Sequence, residues 1–314
     1  MEVAAYLRLY HSGKLKERIE AAVSLLESCS VCPRHCGVDR LAGDVGECRT
    51  FREAMVFSYG PHFGEEAPLV GRYGSGTVFF TNCNLRCLFC QNASISQMGE
   101  GRKVSKEELA CIMLSLQVQG CHNINLVSPT HIVPQILEAL ELAIESGLCL
   151  PLVYNSGGYD SVETLRILDG IIDIYMPDMK YNDEETAREL SGIENYPEIN
   201  KAAIKEMHRQ VGDLEINEEG IAQRGLLVRH LVLPHGLAGT KGIVEFLSKE
   251  ISPGTYINIM SQYHPCYKAF QIPSLCRRIS STEFREALFL AKEAGLSRLD
   301  KALPIEALHP GLSR

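Results

Sequence analysis

The sequence predicts an α/β protein built from repeated βα units around a parallel sheet, and three observations predict it. From about residue 77 onward, short apolar runs alternate with stretches of helical periodicity. Most of the runs are rich in Val, Ile, Leu and Tyr and alternate little in polarity, as strands buried on both faces do. The chain has 314 residues, 45% of them hydrophobic and 22% charged, which suffices for a single α/β barrel whose core does not depend on disulfides.

Six strands are expected, at 77–81, 123–128, 150–155, 171–176, 226–233 and 256–260. The clearest helix opens at Ser105. Glu108 follows three residues later as a capping box, and Leu109, Ile112, Met113 and Leu116 repeat at helical spacing up to Gly120. Asn182 with Glu185, and Ser280 with Glu283, mark two further helix starts. The stretch 181–224 is longer than a minimal crossover and is expected to hold two helices and a charged, hairpin-like segment. Residues 1–74 differ in character: Leu15, Ile19, Val23 and Leu26 share a helical face, and a cysteine-bearing loop region follows. They are expected to form a small N-terminal cysteine-rich subdomain, leaving 75–314 for the barrel, a C-terminal helix and a short strand.

Lys and Arg number 31 against 39 Asp and Glu, a net charge of −8, which argues against non-specific binding to nucleic acid or an anionic membrane. Glu2, Arg8 and His11 stand where a signal peptide needs an apolar core, and no stretch approaches about 18 uninterrupted apolar residues. A cytoplasmic location is therefore expected, where thiols stay reduced. There the 12 cysteines read as metal-binding or catalytic before they read as disulfides.

The strongest signal is the run Thr81-Asn82-Cys83-Asn84-Leu85-Arg86-Cys87-Leu88-Phe89-Cys90-Gln91-Asn92, placed just after the first strand and hence at the C-terminal mouth of the sheet, where α/β sheets put their sites. Cys83, Cys87 and Cys90 present three soft thiolates from one loop, a donor set for zinc or an iron–sulfur cluster. Three ligands on a four-iron cubane leave one iron open to a substrate. This C-x3-C-x2-C spacing, with Phe89 before the last cysteine at the end of the first of six βα strands, resembles the radical S-adenosylmethionine (SAM) superfamily. The run from Phe79 to Asn92 is most similar to the pyruvate formate-lyase activating enzyme group. The resemblance covers about residues 74–265. It implies a partial (βα)6 TIM-like barrel and a [4Fe-4S] cluster on Cys83, Cys87 and Cys90 whose open iron is chelated by SAM. It also implies reductive cleavage of SAM to methionine and a 5′-deoxyadenosyl radical that abstracts hydrogen.

Under that resemblance the strand ends acquire roles. Phe89 and Asn92 of the cysteine run are placed against SAM. Ser128 and Thr130, after the second strand, offer hydroxyls to the SAM ammonium where the family usually has a Gly-Gly-Glu-like segment; they are equally suited to cap the helix near Val133. Asn155 ends the third strand before Gly157 and Gly158, which permit a close backbone approach or a tight turn. Met176-Pro177-Asp178-Met179-Lys180 resembles the Asp-x-Lys segment that meets the polar part of SAM, and alternation points Asp178 and Lys180 to one side; a salt-bridged loop pair is the alternative reading. Arg229 points into the lumen or pairs with a buried carboxylate. Ser261 to Pro265 resembles a segment whose histidine, here His264, lies by the adenine. Asn123 and Asn125 face one side together, either toward substrate or in local hydrogen bonds. No acid, base or nucleophile is singled out.

Cys29, Cys32, Cys36 and Cys48 form a second group, four soft ligands suited to zinc or a second iron–sulfur cluster. Cys-x2-Cys-Pro-Arg-x-Cys is similar to a sparsely characterised branch of activating-enzyme-like radical SAM proteins. Of the remaining cysteines, Cys111 and Cys149 are expected in the core, and Cys266 stands near the barrel mouth. The expected partners are a one-electron reductant such as flavodoxin or ferredoxin and a protein or peptide substrate, with no nucleic acid and no membrane. Three functions follow: activation of a glycyl radical enzyme, radical modification of a small molecule or peptide, or a non-catalytic iron–sulfur or zinc protein.

Overall fold

The computed structural model describes residues 4–300, so the outermost residues of both expected domains, 1–3 and 301–314, lie outside the described residues. Two helices, α1 (Ala5–His11) and α2 (Lys14–Ser24), precede the first cysteine-bearing loop. Strand β1 (Ala54–His62) then leads through one helical turn, α3 (Ala67–Val70), into β2 (Ser75–Phe80). A second turn, α4 (Ala93–Ser96), and a short strand, β3 (Arg102–Val104), come next. The βα repeat continues with α5 (Lys106–Val118), β4 (Ile124–Val127), α6 (Val133–Glu145), β5 (Leu152–Ser156), α7 (Val162–Ile167) and β6 (Ile174–Pro177). The long connection holds α8 (Glu184–Ser191), α9 (Tyr196–Val211) and β7 (Glu215–Ile216); β8 (Ala222–Leu231), α10 (Thr240–Phe246), β9 (Tyr256–Met260) and α11 (Ser281–Glu293) complete the order.

β2, β4, β5, β6, β8 and β9 are parallel neighbours in that order, so the six expected strands are the six of the barrel. β1 adds antiparallel to the free edge of β2, and β3 to β1. Among the described residues no ladder joins β9 back to β1 or β2, and the barrel is partial. The sequence does not announce β1, because its outward Phe57 and Tyr59 are about half exposed and it lacks the uniformly apolar signature of its neighbours. β7 pairs antiparallel with the start of β8, forming the expected hairpin.

Alternation along the parallel strands sorts the core in two. Val78, Ile124, Leu126, Tyr154, Tyr175, Leu226 and Val228 face outward and pack in one continuous cluster with Ile136, Leu137 and Leu140 of α6. Val153, Ile174, Met176, Leu227 and Tyr256 face inward, where fully buried Leu69 of α3 plugs the bottom of the barrel. Asn123 holds the plug by donating to Leu69 O (3.0 Å) and accepting from Ser75 Oγ (2.7 Å), so it is a structural amide.

Tyr6, Leu15, Ile19 and Leu26 belong to the same outer cluster as α6, and Asp173 Oδ1 and Oδ2 accept from Ala5 N (2.8 Å) and Leu152 N (2.9 Å). Residues 4–74 thus share the barrel's core, and the boundary expected at 74 falls between two paired strands. The capping boxes at Ser105 and Ser280 form. That expected at Asn182 is corrected by one residue: Asp183 accepts from Thr186 N (2.8 Å), while Asn182 N is tied to Ala238 O (3.1 Å). Neither Ser128 nor Thr130 caps α6, which starts after Ile132 with a proline in its first turn. Cys111 and Cys149 are exposed, not core: the first lies on the solvent side of α5, the second in the turn after α6. Among the described residues no helix is long and apolar enough to cross a membrane.

His230 sits fully buried on the outer face of β8. Nδ1 lies 2.7 Å from Met179 O, which can only accept, so Nδ1 carries the proton and Nε2 (2.9 Å) accepts from Thr240 Oγ1. Burial lowers its pKa from 6.5 to about 4. The unfolded chain therefore takes up this proton first, and the contribution of His230 to stability, complete above about pH 6.5, is lost progressively as pH falls toward 4. His230→Gln is expected to flatten the pH dependence of the urea midpoint in that window. Leu69→Ala should cost about 3 kcal/mol in the same unfolding measurement, because the plug leaves a cavity.

Candidate active site

After β2 the cysteine loop crosses the C-terminal mouth of the sheet, held by backbone and side-chain bonds to later elements. Arg86 N and Leu88 N donate to Ser191 O (3.0 Å) and Leu190 O (2.8 Å) at the end of α8, and Asn84 Nδ2 donates to Tyr159 O (2.8 Å) after β5. Gly157 and Gly158 allow a close approach, but to the chain itself: a Cβ at Gly157 would stand 2.6 Å from Leu85 Cδ1, and one at Gly158, whose φ is +73°, would strike Asp178 O.

Cys83, Cys87 and Cys90 are free thiols, Cys87 buried and the others half-buried. Each sulfur has a polar neighbour: Leu85 N to Cys83 (3.4 Å), Ser191 Oγ to Cys87 (3.0 Å) and Ser96 Oγ beside Cys90 (3.1 Å). Burial, reinforced by Cys87 and Cys90, pushes the Cys83 thiol up to about 12. Burial likewise raises Cys87, against the opposing Lys180 ammonium.

Lys180 belongs to a half-buried charge cluster at the end of β6. Asp178 Oδ2 accepts from Lys180 Nζ (2.6 Å), and Oδ1 accepts from Arg229 Nε and is 2.9 Å from its NH2. Burial disfavours the charge on Asp178, but Arg229 and Lys180 outweigh it and hold the carboxyl below its usual range. Both readings of Arg229 hold together, since it faces the lumen and pairs with a carboxylate. Tyr196 OH receives Lys180 N (3.0 Å) and lies 3.0 Å from Gly157 O, fixing this corner.

The segment after β9 lies over the other side of the loop. Tyr263 packs edge-on against Phe89 (5.9 Å), as does Tyr181 (6.4 Å). Cys266 Sγ donates to Phe89 O (3.1 Å), and half-buried His264 places Nδ1 3.4 Å from Gln91 Nε2. Asn92 is exposed at the start of α4, and Asn155 is buried on the lumen face of β5. Ser128 is half-buried at φ +60° and bonded through its N to Asn155 O (2.8 Å). Thr130 is turned away to Asp160 (2.6 Å), a carboxylate that also receives Ser156 Oγ (2.6 Å) and Tyr154 OH (2.9 Å). Sequence reasoning missed Asp160, Ser191 and Tyr196. Ser191 and Tyr196 lie in the long connection, more than 100 residues from the cysteines they approach, and no local spacing marks them.

Residues 77–216, which carry the three-cysteine loop and the half-buried Lys180, are matched by the family model described as the radical SAM superfamily. These residues form a radical SAM superfamily domain. The chain is 32% identical over 289 residues to an uncharacterized protein of Methanocaldococcus jannaschii, covering 89% of this chain and 78% of the relative. A second uncharacterized protein of that organism is 25% identical over 268 residues, 78% of this chain and 73% of the other. Among solved structures, a radical SAM methyltransferase from Sphaerobacter thermophilus shares the fold at a TM-score of 0.50 and 14% identity, over 72% of this chain and 65% of that one.

The superfamily implies a [4Fe-4S] cluster and SAM, and the residues present fit them. Among the described residues no three ligand side chains are arranged to hold a single metal ion. A cubane instead binds each thiolate to a different iron, and the hydroxyls and the N–H beside the three sulfurs are groups that tune such clusters. The N-terminal cysteines also influence one another: burial pushes Cys32 up to about 12, with Cys48, Cys29 and Cys36 contributing. A Cβ at Gly46 would stand 2.7 Å from Cys36 Sγ, so the chain leaves room around that sulfur. Fully buried Arg40 brings NH1 within 3.9 Å of Cys29 Sγ, a cation beside the thiol set. Asp178→Asn would leave Lys180 and Arg229 without their shared anion. It is expected to lower stability by about 3 kcal/mol in urea unfolding under reducing conditions.

Proposed function

We propose that this protein cleaves SAM reductively and directs the resulting radical at a substrate held in the barrel lumen. The observation that carries the reading is Lys180, whose Nζ is held by Asp178 and whose Cε stands beside Gly157 together with Leu85 of the cysteine loop. When bound, the cluster and SAM supply one-electron cleavage to methionine and a 5′-deoxyadenosyl radical. In this reading Cys83, Cys87 and Cys90 ligate the cluster and Lys180 meets the SAM carboxylate. Asp178 and Arg229 position that lysine, because both Asp178 oxygens already accept hydrogen bonds. Phe89, with Tyr181 and Tyr263 edge-on around it, excludes water from the sulfur side, while His264 and Asn92 border the adenine end. Ser128 and Asn155 remain the polar groups for the ammonium in place of a Gly-Gly-Glu segment; Thr130 acts at one remove, through Asp160.

The charged lumen favours a polar small molecule or side chain as hydrogen donor. Activation of a glycyl radical enzyme is the second reading, supported by the likeness of the cysteine run to the activating enzymes. The N-terminal cysteines are read as a second iron–sulfur site, with Arg40 as its counter-charge, because a structural zinc would need three or four of them on one ion.

Anaerobically reconstituted protein with dithionite is expected to release 5′-deoxyadenosine from SAM, and Cys87→Ala to release none. A wild type that releases none, or a variant that matches it, overturns the reading. Metal analysis should then find about eight irons per chain; about four irons plus one zinc would overturn the second cluster. Arg34, Arg49 and Arg86 line a cleft of about 850 Å³ that also includes Cys36, and Arg86 is close enough to Arg49, Arg34 and Cys83 to feel their charges. This cleft suits an acidic flavodoxin or ferredoxin. Arg49→Glu is expected to slow reduction by flavodoxin about tenfold at low salt while leaving reduction by dithionite unchanged, measured by stopped-flow absorbance.

A further inference from the structure

We propose that the cavity between α3 and β9 receives the polar end of the substrate and that this end is a cationic nitrogen, an ammonium or guanidinium, bound by Glu66; the proposal deepens the radical SAM reading and rests on it. The cavity has a volume of about 690 Å³ and is lined in part by Glu65, Glu66, Arg229, Asn258, Gln262 and Asp300. Glu66 is 5% exposed; its Oε1 accepts from Asn258 Nδ2 (2.9 Å), and its Oε2 has no partner. A buried carboxylate oxygen without a donor is costly, and an ionised carboxylate offers acceptors only. A ligand that satisfies it must bring N–H or O–H groups, and a positive charge best offsets the desolvation.

The neighbouring groups leave that demand unmet. Arg229 alone among the described lining residues is cationic, and its Nε and NH2 are directed at Asp178. Glu65 pairs with His62 (2.8 Å), and Asp300 accepts from Tyr256 OH (2.6 Å). Three carboxylates therefore face the cavity against one guanidinium already paired across the lumen. Burial pushes Glu66 upward and Arg229 and Asn258 oppose the shift, so an incoming cation favours the ionised form.

Placement links this pocket to the cysteine loop. Asn258 is paired in register with Arg229, Arg229 bonds Asp178, Asp178 holds Lys180, and Lys180 Cε and Leu85 of the cysteine loop both approach Gly157. A molecule anchored at Glu66 thus extends along the lumen toward the mouth. Asn125, on the inward face of β4, is fully buried with both amide atoms unpartnered, a second unmet polar demand inside the barrel.

The test is thermal unfolding of reconstituted protein, with and without SAM, in n-butylammonium, n-butylguanidinium or n-butyrate salts at matched ionic strength. At about ten times its Kd, an alkyl cation is expected to raise Tm by about 3 °C, butyrate to leave it unchanged, and Glu66→Gln to remove the shift. The proposal is overturned if neither cation shifts the wild type, if butyrate shifts it equally, or if Glu66→Gln keeps the shift. The wild-type comparison of cations with butyrate decides the matter even where Glu66→Gln does not fold. Release of 5′-deoxyadenosine, measured on the same preparation, reports separately on the radical SAM reading: its absence with the cation shift intact removes that reading and leaves the pocket.

Discussion

The Asp178 carboxylate lets two cations lie inside the sheet. Lys180 and Arg229 come from different strand ends, and each would be costly to bury without an anion. The ladder between β6 and β8 pairs Ile174 with Gly225 and Tyr175 with Leu226, and the strands meet again at the bridge between Asp178 and Arg229. The ion cluster stands where the two strands regain contact. It also fixes the direction of Lys180, whose ammonium is thereby presented to the cysteine loop.

The same strands show how one constraint produces both a core and a site. Period-two alternation sends Tyr154, Tyr175 and Val228 outward to the helices and Val153, Met176 and Leu227 inward. The inner positions around the plug at Leu69 are mostly apolar, with Asn123 and Asn125 among them, and polar residues recur toward the mouth at Asn155, Asp178, Arg229 and Asn258. A barrel with an open side cannot fill its whole interior with its own side chains, and a few convergent polar groups are the usual lining of such a space.

The two cysteine groups are joined through the fold. Arg40 NH1 reaches Cys29 Sγ and donates to His131 O (2.8 Å), while His131 Nε2 lies 3.1 Å from Thr81 O at the start of the second cysteine run. Burial, with Arg40 adding to it, lowers His131 to about 3, so this ring stays neutral and its contact with Thr81 is a hydrogen bond without charge. The first cysteine segment is therefore packed into the support of the second cysteine loop, consistent with residues 4–74 sharing the barrel's core.

The positions of the six strands along the chain, the capping boxes at Ser105 and Ser280 and the placement of Cys83, Cys87 and Cys90 at a strand end were legible in the sequence, because each depends on neighbours within a few residues; the pairing of Asp178 with Lys180 stood there only as the alternative to a contact with SAM. The exposure of Cys111 and Cys149 was not legible, since local apolar context does not say which side of a helix or turn meets solvent. Nor were β1, Ser191, Tyr196 and Glu66. Ser191 meets Cys87 across 104 positions, and Glu66 meets Asn258 across 192. The sequence by itself determined the type of chemistry, through soft ligands at fixed spacing in one loop. Only the tertiary structure decided what surrounds them, because the lumen is assembled from single residues on separate strands whose positions the closing of the sheet sets.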